Sequence, residues 1–482
     1  MLFLVLSGLA LLRVWAVLWG EVGGANAYYR LCAGLPAPAY FDGPAGTAML
    51  VRVFSGMGDA WLLLGPLWAV AATLALVHFG SRVADPRGAA GAAVVMNVLP
   101  AFNAEALVAG PVLPALTFSL LGASFVWDAS RGQSPRIFSW FAAGTAFAGG
   151  ALFAYWAALF GLAAGLVPLA RPSGRRMENF AGLAWIVIAL AGVLRAPWIW
   201  NAEREFIPVA GWTLRGLIQP DWPALGAGLV DFLAGISPVI AITACVVFVR
   251  VVAGCRGAGP AGFVAAVAAP GVLLGGLAVY RGWDAGIAAL PAVALVLPSA
   301  WVALERGRAI LWAGAALAVA FSVPVYTGIV RGNGLMAETA AHVLALDDSL
   351  SGEIPGGLFH IAGDAGLAAS LGYQIRNAIV PPEGHPPVYE LESQAITSQF
   401  AYWPSYADFV EAVRPSDEFF TESKAGNPFE GHSAVYVGRE GPAGLPQAVK
   451  GAFSDVQIVR EAGPPEDRLY IYLCLDYQTM PL

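Results

Sequence analysis

Of 482 residues, 58% are hydrophobic and only 12% charged, about half the roughly 25% charge of a soluble globular protein. The only lysines are Lys424 and Lys450, so the clustered cations that hold nucleic-acid phosphates are missing. A soluble enzyme, a disordered chain and a nucleic-acid binder are excluded, and a mean hydropathy of +0.65 places the chain in a membrane.

Charge divides the chain. Residues 1–330 contain 18 Arg, no Lys and 13 acids, a net of +5, whereas residues 331–482 carry 8 basic and 20 acidic side chains, a net of −12. This predicts an α-helical polytopic membrane domain over 1–330, followed by a small α/β domain over 331–482 that stands in water.

Apolar runs of roughly 20 residues cross a bilayer. They fall near 2–20, 60–79, 88–102, 107–127, 137–153, 156–170, 180–199, 225–249, 261–280, 285–304 and 309–330, which predicts about eleven transmembrane helices. The first run holds Arg13, lacks a basic leader and ends without a small-x-small site, so it reads as a retained span rather than a signal peptide. Arginines concentrate in one set of short connections: Arg82, Arg87, Arg131, Arg136, Arg171, Arg175, Arg176, Arg250, Arg256, Arg306 and Arg308. Those connections are therefore cytoplasmic. The N-terminus is then inside, and the acidic C-terminal domain outside.

Two outer loops are too long to be turns. Residues 21–58 contain Tyr28, Tyr29, Tyr40, Phe41 and Asp42, then a stretch from Gly46 to Val53 that fits an interfacial helix. Residues 200–224 open with Trp200-Asn201-Ala202-Glu203-Arg204-Glu205 and include Trp212, Arg215 and Trp222. Long loops mixing aromatic and charged residues are where function sits on a rigid scaffold. Scattered aromatics such as Trp61, Trp68 and Trp283 read instead as an interfacial belt.

In the C-terminal part, strands are predicted over 357–363, 387–391, 433–438 and 468–476, with helices over 364–375 and 445–453. The alternation suggests a Rossmann-like sandwich. It has no GxGxxG and no phosphate loop, and Asp364 reads as a helix N-cap rather than a ligand group. The four cysteines lack zinc spacing. Cys32 and Cys474 fall on the same side of the membrane, which leaves a disulfide open, with isolated thiols the simpler reading.

The order Ala25-Asn26-Ala27-Tyr28-Tyr29, then Ala39-Tyr40-Phe41-Asp42-Gly43-Pro44-Ala45, resembles the first outer loop of the bacterial GT-C membrane glycosyltransferases of the protein O-mannosyltransferase and aminoarabinose-transferase group. In that group the loop reads Asp-Glu-Ala-Tyr-Tyr, then Gly-Tyr-Phe-Asp-His-Pro-Pro. Ala196-Pro197-Trp198-Ile199-Trp200-Asn201-Ala202 is similar to the family's proline and Trp-Asn after the seventh span. Gln399-Phe400-Ala401-Tyr402-Trp403 and Ala434-Val435-Tyr436-Val437 are like its outer C-terminal domain.

The resemblance implies an inverting sugar transfer on the periplasmic face of a bacterial inner membrane. The donor is a polyprenyl-phosphate-linked sugar, and the acceptor a lipid, glycan or protein hydroxyl. Such a reaction needs a carboxylate to take the hydroxyl proton and cations for the leaving phosphate.

The chain departs from the family at its ionisable groups. Ala25-Asn26 stands where the family has Asp-Glu, Gly43-Pro44-Ala45 where it has His-Pro-Pro, and Gly110-Pro111-Val112-Leu113-Pro114 where it has Thr-Pro-Asp-Ala-Pro. Ala154-Tyr155 stands for its Lys-Tyr. The candidate bases that remain are Asp42, in the matching Phe-Asp position, then Glu21 and Glu203. Asn26, Tyr28, Tyr29, Tyr40, Trp200 and Asn201 are candidate substrate-binding residues, with Arg204 and Arg215 for the phosphate, which arginine grips with a bidentate fork. Hard cations want several oxygens, and the matching acids are missing, so no metal is expected.

Three readings stand. One is a polyprenyl-phosphate-sugar-dependent glycosyltransferase. A second is a pseudoenzyme of the same fold, a lipid-sugar-binding or assembly subunit with a protein partner in the cell envelope. The third, a lipid-linked sugar transporter, needs ionisable or broken-helix residues at mid-membrane, where only Arg13, Arg195 and Asp231 come close.

Overall fold

The computed structural model describes residues 2–20, 22–40, 43–131, 136–169, 175–202, 222–253, 260–281, 284–303, 308–331, 334–350, 354, 358–379, 386–391 and 431–478. The chain is a polytopic helical membrane protein with a small sheet near its C-terminus. Contacts between residues divide it into two compact units. One comprises residues 1–19, 43–199 and 212–328, the other 20–42, 200–211 and 329–482.

The first unit is a helical bundle. Its helices are α1 (Leu2–Trp19), α3 (Gly46–Ser55), α4 (Leu64–Val83), α5 (Pro86–Val98), α6 (Pro100–Ala106), α7 (Val112–Arg131), α8 (Arg136–Ala151), α9 (Trp156–Leu166) and α10 (Arg176–Ala202), whose last residues fall in the second unit. They continue with α11 (Trp222–Ile236), α12 (Pro238–Ala253), α13 (Pro260–Arg281), α14 (Ala285–Ala303) and α15 (Arg308–Arg331). A large apolar core built from Phe79, Phe102, Trp127, Phe147, Phe160, Phe263 and Trp301 runs through it. Small residues let the helices close in. The Phe147 ring lies between Gly122 and Gly161, and the Trp301 ring rests on Gly91, where a Cβ would collide with either ring. In a bilayer, where hydrophobicity does not drive helices together, such contacts carry the packing.

Five of the described helices are long and apolar enough to cross a membrane, or seven with each bent pair taken as one span. The remaining expected spans coincide with shorter or interrupted helices. The run expected as one crossing over 225–249 is two helices, α11 and α12, bent by 94°. Pro238 cannot continue the helix before it, and Ser237 takes φ 70°, its hydroxyl donating to the Gly314 carbonyl at 3.1 Å. The third run is also interrupted. Pro100 separates α5 from α6, with Leu99 extended at φ −64° and ψ 133°. The stretch from Gly46 is a helix as expected, burying Gly46, Thr47, Ala48 and Val51 while Met49 and Val53 face outward.

The second unit holds a five-stranded sheet in the order β4 (Tyr389–Glu390), β3 (Leu358–Ala362), β5 (Ser433–Gly438), β7 (Leu469–Tyr477), β6 (Phe453–Ala462). β3 runs parallel to β4 and β5, with Ile361 opposite Tyr389 on one side and Tyr436 on the other. β7 is antiparallel to β5 and β6. The expected Rossmann-like alternation therefore covers only one side. A β6–β7 hairpin completes the other, and β6 was not legible because its residues are almost all exposed and lack an apolar face. Helix α16 (Leu335–Leu350) was likewise not anticipated, whereas α17 (Ala365–Ile375) and α18 (Gln447–Ala452) were. Asp364 caps α17, accepting from the Leu367 N–H at 2.8 Å. No disulfide joins Cys32 and Cys474.

Candidate functional site

The Ala25-Asn26-Ala27-Tyr28-Tyr29 motif lies on helix α2 (Gly24–Cys32), which belongs to the second unit. There α2 packs on α17. A Cβ on Gly24 would lie 3.0 Å from the Gly366 carbonyl, and Leu31 abuts Gly372. Only a residue without a side chain lets the two helices approach this closely. Asn26, Tyr28 and Tyr29 are half-buried, and the two tyrosine rings meet edge to face with centroids 5.2 Å apart.

Tyr40, in the short strand β1 (Ala39–Tyr40), is buried. Its hydroxyl lies 2.9 Å from the carbonyls of both Cys32 and Leu35 and accepts the Ala37 N–H at 3.3 Å. The phenol thus ties off the C-terminal end of α2, where helix carbonyls lack partners. Trp200 and Asn201, in the last turn of α10, are both buried. Asp42, Glu21, Glu203, Arg204 and Arg215 lie outside the described residues.

In the first unit the notable polar feature is buried, and it centres on Arg13. The guanidinium is 1% exposed and meets no carboxylate among the described residues. Its Nη1 donates to Asn97 Oδ1 at 2.8 Å, its Nη2 to the Asn97 carbonyl at 2.9 Å and to Asn103 Oδ1 at 2.8 Å, and its Nε to Asn103 Oδ1 at 3.2 Å. Tyr326 donates to the same Asn103 oxygen at 2.8 Å, and Ser322 donates to the Val98 carbonyl at 3.0 Å. The Phe102 ring lies 5.2 Å from the guanidinium carbon.

These contacts fall on the carbonyls released at the α5–α6 break. A backbone group left unpaired in lipid costs several kcal/mol, so side chains from α1 and α15 take the place of the missing helical turn. The sequence flagged Arg13 as a mid-membrane charge. Its partners went unnoticed, although Asn97 and Asn103 on either side of Pro100 were the available signal.

Past this break, α6 leads to the outer end of the bundle in the expected topology. Glu105 lies on its last turn, and α6 packs on α11 and α14. Asp231 of α11 accepts the Gly286 N–H at 2.9 Å, capping α14 from outside, where the helix dipole favours a negative charge. Asp284 precedes α14. Burial, and then Asp231, raise its carboxyl above the ordinary range. Burial, and then Asp284, push Glu105 up to about 7. Among the described residues, no group of three or more His, Cys, Asp or Glu converges as metal ligands.

Solved structures match nearly the whole length of the chain. ArnT from Cupriavidus metallidurans bound to undecaprenyl phosphate matches at a TM-score of 0.58 and 13% identity, over 98% of this chain and 97% of that one. Its apo state matches at 0.55 and 14%, with the same coverage.

The chain has the GT-C glycosyltransferase fold.

The GT-C likeness extends from end to end, in keeping with the family resemblance of the two loops. The oligosaccharyltransferase of Archaeoglobus fulgidus in the apo form is a more distant match, at a TM-score of 0.47 and 13% identity over 77% of this chain and 64% of that one. No protein-family model and no curated protein matches the sequence.

Proposed function

We propose that this protein is a membrane glycosyltransferase. It moves a sugar from a polyprenyl-phosphate donor to a lipid, glycan or protein hydroxyl on the periplasmic face of a bacterial inner membrane, with inversion at the anomeric carbon. The observation that carries the reading is the full-length likeness to ArnT, a protein captured with undecaprenyl phosphate. The inference from fold to activity is one of analogy, and the loop motifs add weight to it.

In this proposal residues 331–482 form the periplasmic domain, with the outer loops 21–58 and 200–224 at the site. Asp42 is the first candidate to take the acceptor's proton, followed by Glu21 and Glu203. Asn26, Tyr28, Tyr29, Trp200 and Asn201 receive the sugar, and Arg204 and Arg215 hold the phosphate. Tyr40 contributes through the loop end that its hydroxyl ties.

A second reading is favoured by one observation: Ala25-Asn26 stands where the family has its Asp-Glu pair. It makes the protein a binding or assembly subunit that keeps the lipid site without turnover. Purified protein in lipid, given radiolabelled undecaprenyl-phosphate sugars with a membrane extract as acceptor source, separates the two. Transfer establishes the enzyme. Saturable binding of undecaprenyl phosphate with no transfer from any sugar establishes the pseudoenzyme, and absence of both removes the lipid-linked reading altogether.

A further inference from the structure

We propose that Glu105, on the half-helix after the α5–α6 break, is a catalytic carboxylate of the helical bundle and takes the proton of the acceptor hydroxyl. The inference rests on the glycosyltransferase reading above and supplies the base that the first-loop motif has lost.

Four observations converge on it. Glu105 is deeply surrounded by protein yet keeps partial access to water. Its carboxylate hydrogen-bonds to no described residue, whereas neighbouring Asp231 is committed to the Gly286 N–H. Among the described residues nothing donates to the Glu105 carboxylate, so its oxygens are available to an incoming hydroxyl.

The third observation is where the carboxylate lies. Its Oε2 is 3.3 Å from the position a Cβ would take on Gly110. Gly110 opens the Gly110-Pro111-Val112-Leu113-Pro114 turn, where the resembling family carries an acid and this chain carries none. A carboxylate is present at that turn after all, supplied by the preceding helix, and the missing side chain at position 110 leaves it room.

The fourth is that its placement is held rather than loose. Arg13, Asn103 and Ser322 lock the break at the start of α6. At the other end, a Cβ on Gly65 would lie 2.8 Å from the Ala106 carbonyl and 2.7 Å from that of Val108, so the start of α4 braces the turn that follows Glu105. A base works within hydrogen-bond reach of the proton it removes, and a short helix fixed at both ends provides that.

The step balances. The acceptor oxygen forms a bond to the anomeric carbon, and the bond from that carbon to the phosphate oxygen breaks. The electron pair leaves with polyprenyl phosphate, and the hydroxyl proton passes to Glu105. Only the ionised carboxylate accepts it. Burial and the charge of Asp284, itself facing Asp231, hold Glu105 up to about 7, so the base is poised near the pH at which it works.

The test uses the full-length protein in lipid nanodiscs with radiolabelled undecaprenyl-phosphate mannose, glucose, galactose and arabinose, a membrane extract as acceptor source, and undecaprenyl phosphate alone as the binding probe. Glu105→Gln should lose about a hundred- to ten-thousand-fold in kcat while binding undecaprenyl phosphate as the wild type does. Glu105→Asp, which keeps the carboxylate, should retain measurable turnover. In the wild type, kcat/KM should rise with pH through a limb near 7, and Glu105→Asp should displace that limb.

Wild-type transfer that has no such limb, or that survives in Glu105→Gln, overturns the role of Glu105 and leaves the glycosyltransferase standing. Should Glu105→Gln fail to fold, the wild-type limb and its displacement in Glu105→Asp decide alone. A wild type that binds undecaprenyl phosphate but transfers none of the sugars overturns both the enzyme reading and this inference.

Discussion

Arg13 donates at 2.9 Å to the main-chain carbonyl of Asn97, three residues before Pro100 interrupts the third apolar segment. A cation from the first helix thus completes the backbone of a helix that proline has opened. Among the described residues its charge is met by neutral acceptors rather than by a carboxylate, so the arrangement depends on their geometry.

Arg13→Met should therefore destabilise the bundle by about 1–3 kcal/mol, since the buried Asn97 Oδ1 loses its donor while Asn103 Oδ1 keeps Tyr326. Arg13→Lys should recover only part of this, because an ammonium cannot span both asparagines as the planar guanidinium does. Thermal unfolding of the detergent-solubilised protein reads the difference. An unchanged midpoint in Arg13→Met would show that the break holds itself.

Turnover discriminates among Asp42, Glu105 and Glu205. If Asp42 takes the acceptor's proton, Asp42→Asn abolishes sugar transfer; if Glu105 takes it, Asp42→Asn keeps transfer and Glu105→Gln loses it; Glu205→Gln leaves transfer unchanged in either case. Full activity in Asp42→Asn removes Asp42 from the candidates and leaves Glu21, Glu203 and Glu105 to be tried in the same assay.

Asp364 should matter to stability and not to ligand binding. Its side chain accepts the Leu367 N–H at the start of α17, the helix on which α2 rests. Asp364→Ala should cost about 1 kcal/mol, and Asp364→Asn, which keeps the acceptor, much less. Affinity for undecaprenyl phosphate should be the same in both. A weakened affinity in Asp364→Asn would instead make the carboxylate a ligand group.

His360 should make the second unit sensitive to acid. It is 2% exposed in β3, and burial lowers its imidazole from 6.5 to about 4. Asp347 lies 4.0 Å away, its own carboxyl raised by burial and then by Asp348. The unfolded chain then binds a proton on this residue that the folded chain does not. The stabilisation is whole above about pH 6.5 and is lost as pH falls towards 4, by up to about 3 kcal/mol. Melting curves at about pH 7 and about pH 4.5 should diverge less in His360→Leu than in the wild type. Equal divergence would place the acid sensitivity elsewhere.

Several features were legible because they are written in neighbouring residues. The apolar runs marked the bundle, and Asp364 announced its own cap. Strand β6 was missed because Phe453–Ala462 owes its conformation to pairing with β7 rather than to an apolar face. The α11–α12 bend was missed because hydropathy runs unbroken through Ser237-Pro238, and averaging over a window hides a single backbone reversal.

The sequence by itself determined the class of protein, its membrane helices and the family that its two long loops resemble. Those follow from hydropathy, composition and short motifs, which act over one helix length. The tertiary structure alone decided which polar groups meet. Arg13 and Asn103 are 90 residues apart, Asp231 and Gly286 are 55 apart, and α2 finds its support on α17. Glu105 was one acid among 13 in residues 1–330 until packing half-buried it and set its carboxylate beside Gly110. Burial and charge–charge distance set what a carboxylate can do, and both are properties of packed helices that no stretch of sequence contains.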